Sequence, residues 1–209
     1  MSSPARPTLV HYFDYKSPYA FIAQRATFDL ARELDVALEL IPYTLDIPSF
    51  LGSAALDTDG RDTVGTRTDH QWRRVRYAYM DCRREANRLG LTLRGPRKIF
   101  DSSIAHIGFL YAKENGDPRP YHDAVYERFW KHDIDIEDSD AIGAALADSG
   151  IDAAGFAGYL AGEGRRVHDD SQRAAEKRGV FGVPGYWVDG ELFWGAERLA
   201  RVRELLERA

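Results

Sequence analysis

The chain has 209 residues, 44% of them hydrophobic, and a formal net charge of -5, a composition that can bury a sizeable core. The mild acidity gives no electrostatic preference for nucleic acid, and a single cysteine, Cys82, excludes an intrachain disulfide and a cysteine-based zinc cluster. The N-terminal segment, residues 1–7, is short and polar, and no long apolar run follows it. We therefore expect neither a signal peptide nor a membrane span, and hence a cytoplasmic protein.

The first elements predict a βαβ unit. Residues 8–13 are apolar and rich in strand formers, as in a central strand covered on both faces. Pro18 suits the first turn of a helix, and apolar residues then recur every four positions from Ile22 to Leu34. Residues 36–43 predict a second strand, which a right-handed crossover places parallel to the first.

The middle of the chain predicts helices. After a loop rich in Gly and Asp, apolar or weakly polar residues from 69 to 89 follow spacings of three and four and fall on one helix face. Cys82 lies on that face. Further helical patterns cover residues 102–114, 121–131, 141–148, 155–160 and 165–178.

The C-terminal part predicts a β-hairpin and a last helix. The hairpin strands are residues 185–188 and 192–194, joined across Asp189 and Gly190. The element order is that of an α/β protein with a thioredoxin-like fold and a large helical insertion. We predict a thioredoxin-like domain from residues 8–50 plus 165–209, and an inserted helical domain from residues 51–164.

Three segments resemble one enzyme family. Residues 13–20 read FDYKSPYA, residues 179–184 read GVFGVP, and residues 188–195 read VDGELFWG. Together they resemble the 2-hydroxychromene-2-carboxylate isomerases, and the likeness extends to kappa-class glutathione transferases and to the disulfide oxidant DsbA. The resemblance implies glutathione as cofactor, a small aromatic carboxylate as substrate and a homodimer.

Ser17 is the catalytic residue that this resemblance implies. Disulfide enzymes of this fold carry a C-x-x-C motif at the same strand-to-helix turn, where Ser17 and Ala20 stand here. An alcohol cannot form a disulfide, so thiol–disulfide exchange requires an outside thiol. In the related enzymes the hydroxyl donates a hydrogen bond to the glutathione sulfur and favours its thiolate. Ser17 followed by Pro18 is also a common helix N-cap.

Glutathione-binding residues follow from the resemblance as well. A cis Pro184 would face the helix start, and Val183 would pair through its backbone with the extended cofactor. An edge or turn proline is equally compatible with the local sequence at Pro184. Ala196 and Glu197 replace the Ser-Asp pair that holds the γ-glutamyl end in relatives. Glu197 also fits a first-turn acid that complements the helix dipole.

The basic loop at residues 94–102, RGPRKIFDS, is the candidate substrate loop. The corresponding loop of the isomerases is proline-rich and ends in Asn above the glutathione sulfur. Here Lys98 is the candidate for an anionic substrate, and Asp101 stands at the polar position. Lys98 is equally compatible with a solvated surface charge, and Asp101 with a helix cap.

No metal site is expected. The acidic run at residues 133–138 lacks the glycine and the terminal acid of a calcium loop, and the histidines form no H-x-x-x-H pair. His11 lies in a predicted buried strand, so we expect a hydrogen-bonded core residue. We likewise expect Cys82 to be a packed core thiol.

The resemblance implies a glutathione-dependent cis–trans isomerase that acts on an aromatic 2-oxo acid in aromatic-compound degradation. In that chemistry the glutathione thiolate adds to the conjugated ring carbon, the ring opens, and rotation precedes departure of the sulfur. Two alternatives stay open. One is a kappa-like glutathione transferase or peroxidase that uses Ser17 and Pro184. The other is a non-catalytic DsbA-like binding protein.

Overall fold

The computed structural model describes residues 6–208. The expected absence of a signal peptide concerns residues that lie mostly outside this range. Within it the strands are β1 (Thr8–Phe13), β2 (Ala37–Pro42), β3 (Gly185–Val188) and β4 (Glu191–Trp194). The helices of the described part are α1 (Pro18–Glu33), α2 (Ile47–Leu51), α3 (Asp69–Arg88), α4 (Ser103–Asn115), α5 (Arg119–Lys131), α6 (Ser139–Asp148), α7 (Phe156–Ala161), α8 (Glu163–Lys177) and α9 (Leu199–Leu206).

The four strands form one mixed sheet in the order β2-β1-β3-β4. β1 and β2 are parallel, as the βαβ prediction requires, while β3 lies antiparallel to both β1 and β4. β1 is therefore a central strand, and five of its six residues are buried. The hairpin prediction is also confirmed, and the fold is the predicted α/β thioredoxin-like fold.

Helix α3 shows how the sequence pattern becomes local structure. Thr68 caps its start by accepting a hydrogen bond from the Gln71 N–H, and Gln71 Oε1 accepts a hydrogen bond from the Thr68 N–H. The stripe predicted from the spacing of three and four is the buried face, with Val75, Cys82 and Ala86 inside. This face anchors α3 and leaves its other sides free to border a cavity.

The core lies on both faces of the sheet. On one face β1 meets α4 and α5 in an aromatic cluster that includes Phe13, Tyr15, Phe109 and Tyr126, all at most 1% exposed. A smaller cluster packs α1 and α9 on the other face. The central helices thus share a core with the sheet. The division of the chain into a thioredoxin-like domain (residues 8–50 plus 165–209) and an inserted helical domain (residues 51–164) stays a prediction.

One region differs from the sequence pattern. Residues 47–51 form the short helix α2, which Asp46 caps by accepting from the Ser49 N–H. Five residues are too few to display a helical period, so the pattern does not indicate this helix. Among residues 6–208, no helix combines the length and apolarity needed to cross a bilayer.

Candidate functional site

Ser17 occupies the junction between β1 and α1, as predicted. It is 4% exposed, and its Oγ accepts a hydrogen bond from the Ala20 N–H at 3.2 Å, which makes it the N-cap of α1. The two interpretations of Ser17 are compatible, because a hydroxyl that accepts through a lone pair can still donate its proton. The Ser17 hydroxyl lines a cavity and can donate a hydrogen bond to a group bound there.

The C-terminal segments border the same cavity. The Val183–Pro184 peptide bond is cis, and both residues are buried. The Pro184 carbonyl accepts a hydrogen bond from the Gly195 N–H at 2.9 Å, which ties the proline loop to the end of β4. Ser17, Val183 and Pro184 therefore face one space although more than 160 positions separate them along the chain.

Ala196 and Glu197 lie at the rim of this cavity. They follow Gly195, whose φ of 102° belongs to the left-handed region that favours glycine, and they open the 3-10 turn Ala196–Arg198. The first bond of this turn runs from the Arg198 N–H to the Gly195 carbonyl. The N–H groups of Ala196 and Glu197 consequently have no partner within the turn.

The two substrate-loop candidates have different places. Lys98 lines the cavity, but its ammonium forms an ion pair with Glu137, which raises the pKa of Lys98. Asp101 is not among the lining residues. Its carboxylate accepts from the Ser103 N–H at 2.9 Å and from the Ser103 hydroxyl at 3.1 Å, at the start of α4. Both side chains are already engaged within the protein.

A buried charge pair lies directly behind Ser17, and the sequence interpretation does not include it. The Asp14 carboxylate is fully buried, lies 3.1 Å from the Lys16 ammonium and accepts from the backbone N–H groups of Lys16 and Leu45. Lys16, 4% exposed, also donates to the Ser102 hydroxyl at 3.1 Å. Burial alone would raise the pKa of Asp14. The Lys16 charge, the adjacent His106 and the bond from the Leu45 N–H outweigh it and hold that pKa below its ordinary value.

The polar contacts continue from this pair to the surface. His106 Nε2 lies 3.4 Å from the Asp14 carboxylate, and its Nδ1 is 2.8 Å from the Thr44 hydroxyl. The same hydroxyl contacts His168 Nε2 at 2.9 Å, and His168 Nδ1 lies 3.0 Å from the half-exposed Asp169. Burial lowers the pKa of His106. The network fixes the β1–α1 junction against α4 and α8.

The cavity itself is large, and its walls are mostly apolar. Its volume is about 1300 Å³, and it is lined by side chains from α1, from α3, from the substrate loop at residues 94–102 and from the proline loop at residues 181–184. Phe181 and Trp194 stand at its mouth with ring centroids 5.2 Å apart and are 60% and 52% exposed. Pockets that bind one drug-sized ligand usually measure about 300–1,000 Å³. This volume exceeds that of a usual single-ligand pocket.

The remaining candidates are core or capping residues. Cys82 is buried, and desolvation raises the pKa of its thiol to about 12. His11 is 1% exposed, lies 3.3 Å from the Gly185 carbonyl through Nδ1 and stacks on Tyr186, as expected of a core residue. In the acidic run, Asp138 caps α6. The described residues 6–208 contain no group of three or more His, Cys, Asp or Glu placed to hold a metal ion.

A thioredoxin fold in which a serine at the helix start and a proline-containing loop border one cavity defines the class of protein. Residues 8–207 match the DSBA-like thioredoxin domain, and the chain belongs to this family. The 2-hydroxychromene-2-carboxylate isomerase of Sphingobium xenophagum is 29% identical over 92% of this chain and 94% of its own length.

Solved structures agree with this assignment. A structure of 2-hydroxychromene-2-carboxylate isomerase superposes with a TM-score of 0.72 at 21% identity and covers 96% of this chain and 95% of that one. A probable DsbA oxidoreductase from Streptomyces coelicolor gives a TM-score of 0.74 at 18% identity, over 97% of this chain and 89% of that one. The isomerase structure and the probable oxidoreductase structure share this fold. The relatives named isomerases support an enzyme of isomerase type.

Proposed function

We propose that this protein is a glutathione-dependent cis–trans isomerase of an aromatic 2-oxo acid, similar to 2-hydroxychromene-2-carboxylate isomerase. One observation carries the proposal: Ser17, the Val183–Pro184 segment and the Ala196–Glu197 turn line a single cavity. The isomerase names of the curated relatives support the same reaction class.

The residues present are compatible with glutathione as the source of the thiol. The only cysteine of the chain, Cys82, is buried, and its raised pKa keeps it protonated at neutral pH. Ser17 stands at the N-terminus of α1, where the helix dipole and a hydroxyl donor favour a negative charge. When bound there, glutathione would supply the thiol for reversible addition to a conjugated ring.

Each candidate glutathione-binding residue has a defined part in this proposal. The Ser17 hydroxyl donates a hydrogen bond to the sulfur and stabilises its ionised form. The Val183 backbone pairs with the cysteinyl part, and the cis Pro184 shapes that surface. The Ala196 N–H donates to the glutamyl carboxylate, and the Glu197 carboxylate accepts from the glutamyl amine.

The substrate loop is proposed to act through its shape. Lys98 lines the cavity while Glu137 holds its ammonium, and Asp101 fixes the loop to the start of α4. A small aromatic carboxylate then lies between this loop and the bound cofactor. We further propose a cytoplasmic homodimer that takes part in aromatic-compound degradation.

The test is the absorbance change of 2-hydroxychromene-2-carboxylate with purified protein, with and without glutathione. We expect acceleration only with glutathione, and a loss of about 100-fold in kcat/KM for Ser17→Ala. Ser49→Ala is the matched control, because Ser49 lines the same cavity away from the β1–α1 junction. No acceleration in either condition refutes the isomerase proposal, and glutathione conjugation to another electrophile would then favour the transferase. Neither activity nor glutathione binding would favour the binding protein.

A further inference from the structure

The cavity has a charge opposite to that of the whole chain. Eight of its lining side chains are lysines or arginines and one, Glu197, is a carboxylate, although the protein has a formal net charge of -5. A partly enclosed wall of one sign attracts ligands of the other sign. The cavity therefore selects for an anion, and the question is which cations are free to bind it.

Most of the cations near the floor and loops are already engaged. Lys16 pairs with Asp14 and Lys98 with Glu137. Arg67 donates to the backbone carbonyls of Leu51 and Gly52, and Arg97 donates to that of Asp57. These bonds hold the loops that border the cavity, so their donors are not readily available to a ligand.

Helix α3 carries the uncommitted charge. Arg83 donates to the Tyr79 carbonyl, whereas Arg73, Arg74 and Arg76 line the cavity, are exposed and form no ion pair with any residue in the described range 6–208. Of these three, Arg73 and Arg76 lie three residues apart. Residues three apart on a helix are neighbours, with Cβ atoms about 5–6 Å apart, so one carboxylate can reach both guanidinium groups. Like charges at this spacing destabilise a helix when no acid lies between them.

The last turns of the same helix show the usual arrangement. Arg84 has Asp81 as partner at 3.9 Å, and Arg88 has Glu85 at 2.9 Å, in both cases three residues away. Neither Arg84 nor Arg88 lines the cavity. Unpaired arginines on α3 are thus found where the helix borders the cavity, and paired ones where it does not.

Aromatic side chains stand beside these arginines. Trp72, Tyr77 and Tyr79 of α3 and Phe50 of α2 line the same cavity. Tyr77 is 57% exposed and Phe50 is 46% exposed, so their rings are available to a ligand. An aromatic body with a terminal carboxylate matches this combination, because the rings offer stacking surfaces and guanidinium groups recognise carboxylates.

We infer that Arg73 and Arg76 bind the carboxylate of the aromatic substrate and set the specificity of the cavity for anionic over neutral ring compounds. The inference deepens the proposed function and rests on it for the substrate class. It assigns the anion site to α3 rather than to the substrate loop at residues 94–102. Arg73 and Arg76 are positioning residues, since they hold the substrate and do not touch the reacting bond.

The experiment measures binding directly, so that it does not depend on turnover. Calorimetry compares coumarin-3-carboxylate with its uncharged ethyl ester on the wild type, on the double variant Arg73→Gln/Arg76→Gln, and on Arg88→Gln as the matched control from the same helix. We expect the wild type to prefer the acid, and the double variant to bind it about tenfold more weakly with little change for the ester. The Arg88→Gln protein should behave as wild type.

Salt gives an independent readout. Raising NaCl from about 0.05 to 0.5 M should weaken acid binding to the wild type and change it little in the double variant, because screening acts on the arginine charges. Equal affinity for acid and ester, an unchanged double variant, or no binding of the acid by the wild type would overturn the inference. Arginine-dependent binding without any isomerisation would instead refute the proposed reaction and leave the anion site standing.

Discussion

Replacement of Asp14 by alanine tests the charge pair behind Ser17. The change removes the fully buried carboxylate and leaves the Lys16 ammonium, 4% exposed, without its counter-ion. It also removes the acceptor of the Leu45 N–H. Breaking a buried ion pair from one side typically costs about 3–5 kcal/mol. We expect a loss of this size in the free energy of unfolding.

The assay is equilibrium unfolding in urea, with thermal melting as a second measurement. For a chain of this length, about 1 kcal/mol corresponds to roughly 2–4 °C, so Asp14→Ala should lower Tm by about 6–20 °C. Asp29→Ala is the matched control. Asp29 forms an ion pair with Arg32 on the surface of α1, and its loss should cost at most about 1 kcal/mol.

A double-mutant cycle with Lys16→Met separates the ion pair from other effects. If the ion pair dominates the effect of Asp14→Ala, the two single losses in the free energy of unfolding should not add. The Asp14→Ala/Lys16→Met protein should then be at least about 2 kcal/mol more stable than their sum predicts, because it has no unpaired charge. Additive losses, or a loss below about 1 kcal/mol for Asp14→Ala, would refute the reasoning.

The same pair predicts a pH dependence. The pKa of Asp14 in the folded state lies below its ordinary value of 3.8. The carboxylate therefore contributes its full stability above that ordinary value and loses it as pH falls toward the folded pKa. Between pH 6 and pH 3, the free energy of unfolding should fall more steeply for the wild type than for the Asp14→Ala/Lys16→Met variant.

Three further predictions concern other residues. Burial lowers the pKa of His11 from 6.5 to about 4, so the free energy of unfolding should fall by up to about 3 kcal/mol through this residue as pH falls from 6.5 to 4. Urea titrations should show a smaller fall for His11→Phe than for the wild type. Equal falls would contradict the assignment. Cys82 should resist iodoacetamide at pH 8 until denaturant is added, whereas a Ser17→Cys protein should react natively at one site, and rapid native labelling of Cys82 in the wild type would contradict its burial. Gly195→Ala should lower Tm and weaken glutathione binding in calorimetry, because a Cβ at this positive φ meets the Glu197 carboxylate; an unchanged protein would show that the turn adapts.

The sequence predicts most elements because their signals are local. The period of four after Pro18, the stripe on α3 and the turn at Asp189 and Gly190 each fit within one element, and the structure confirms the helix, the stripe and the turn. The buried face of α1 differs from the predicted one, since Ala26 is exposed and Thr27 is buried. Helix α2 is too short to carry such a signal. The position of Ser17 at the helix start is likewise a local feature, visible from the Pro18 that follows it.

The charge pair could not be predicted in the same way. Lys16 meets Ser102, 86 residues away, and the Thr44 hydroxyl contacts His106 and His168, 62 and 124 residues away. No spacing rule links such positions. A usable signal is nevertheless present in the sequence. Asp14 and Lys16 are an acid and a base two residues apart, and they directly follow a strand that is predicted to be buried. Charges at such a position are expected to neutralise each other.

The sheet order has a consequence for synthesis of the chain. β1 pairs on one side with β2, which follows it closely, and on the other with β3, where His11 meets Tyr186 across 175 positions. At about 5–20 residues per second, a ribosome needs roughly ten seconds or more to deliver that partner. During this interval an apolar strand edge stays unpaired and can join another nascent chain. The expression yield of this protein should therefore depend on chaperones that cover β1 until the C-terminal hairpin emerges.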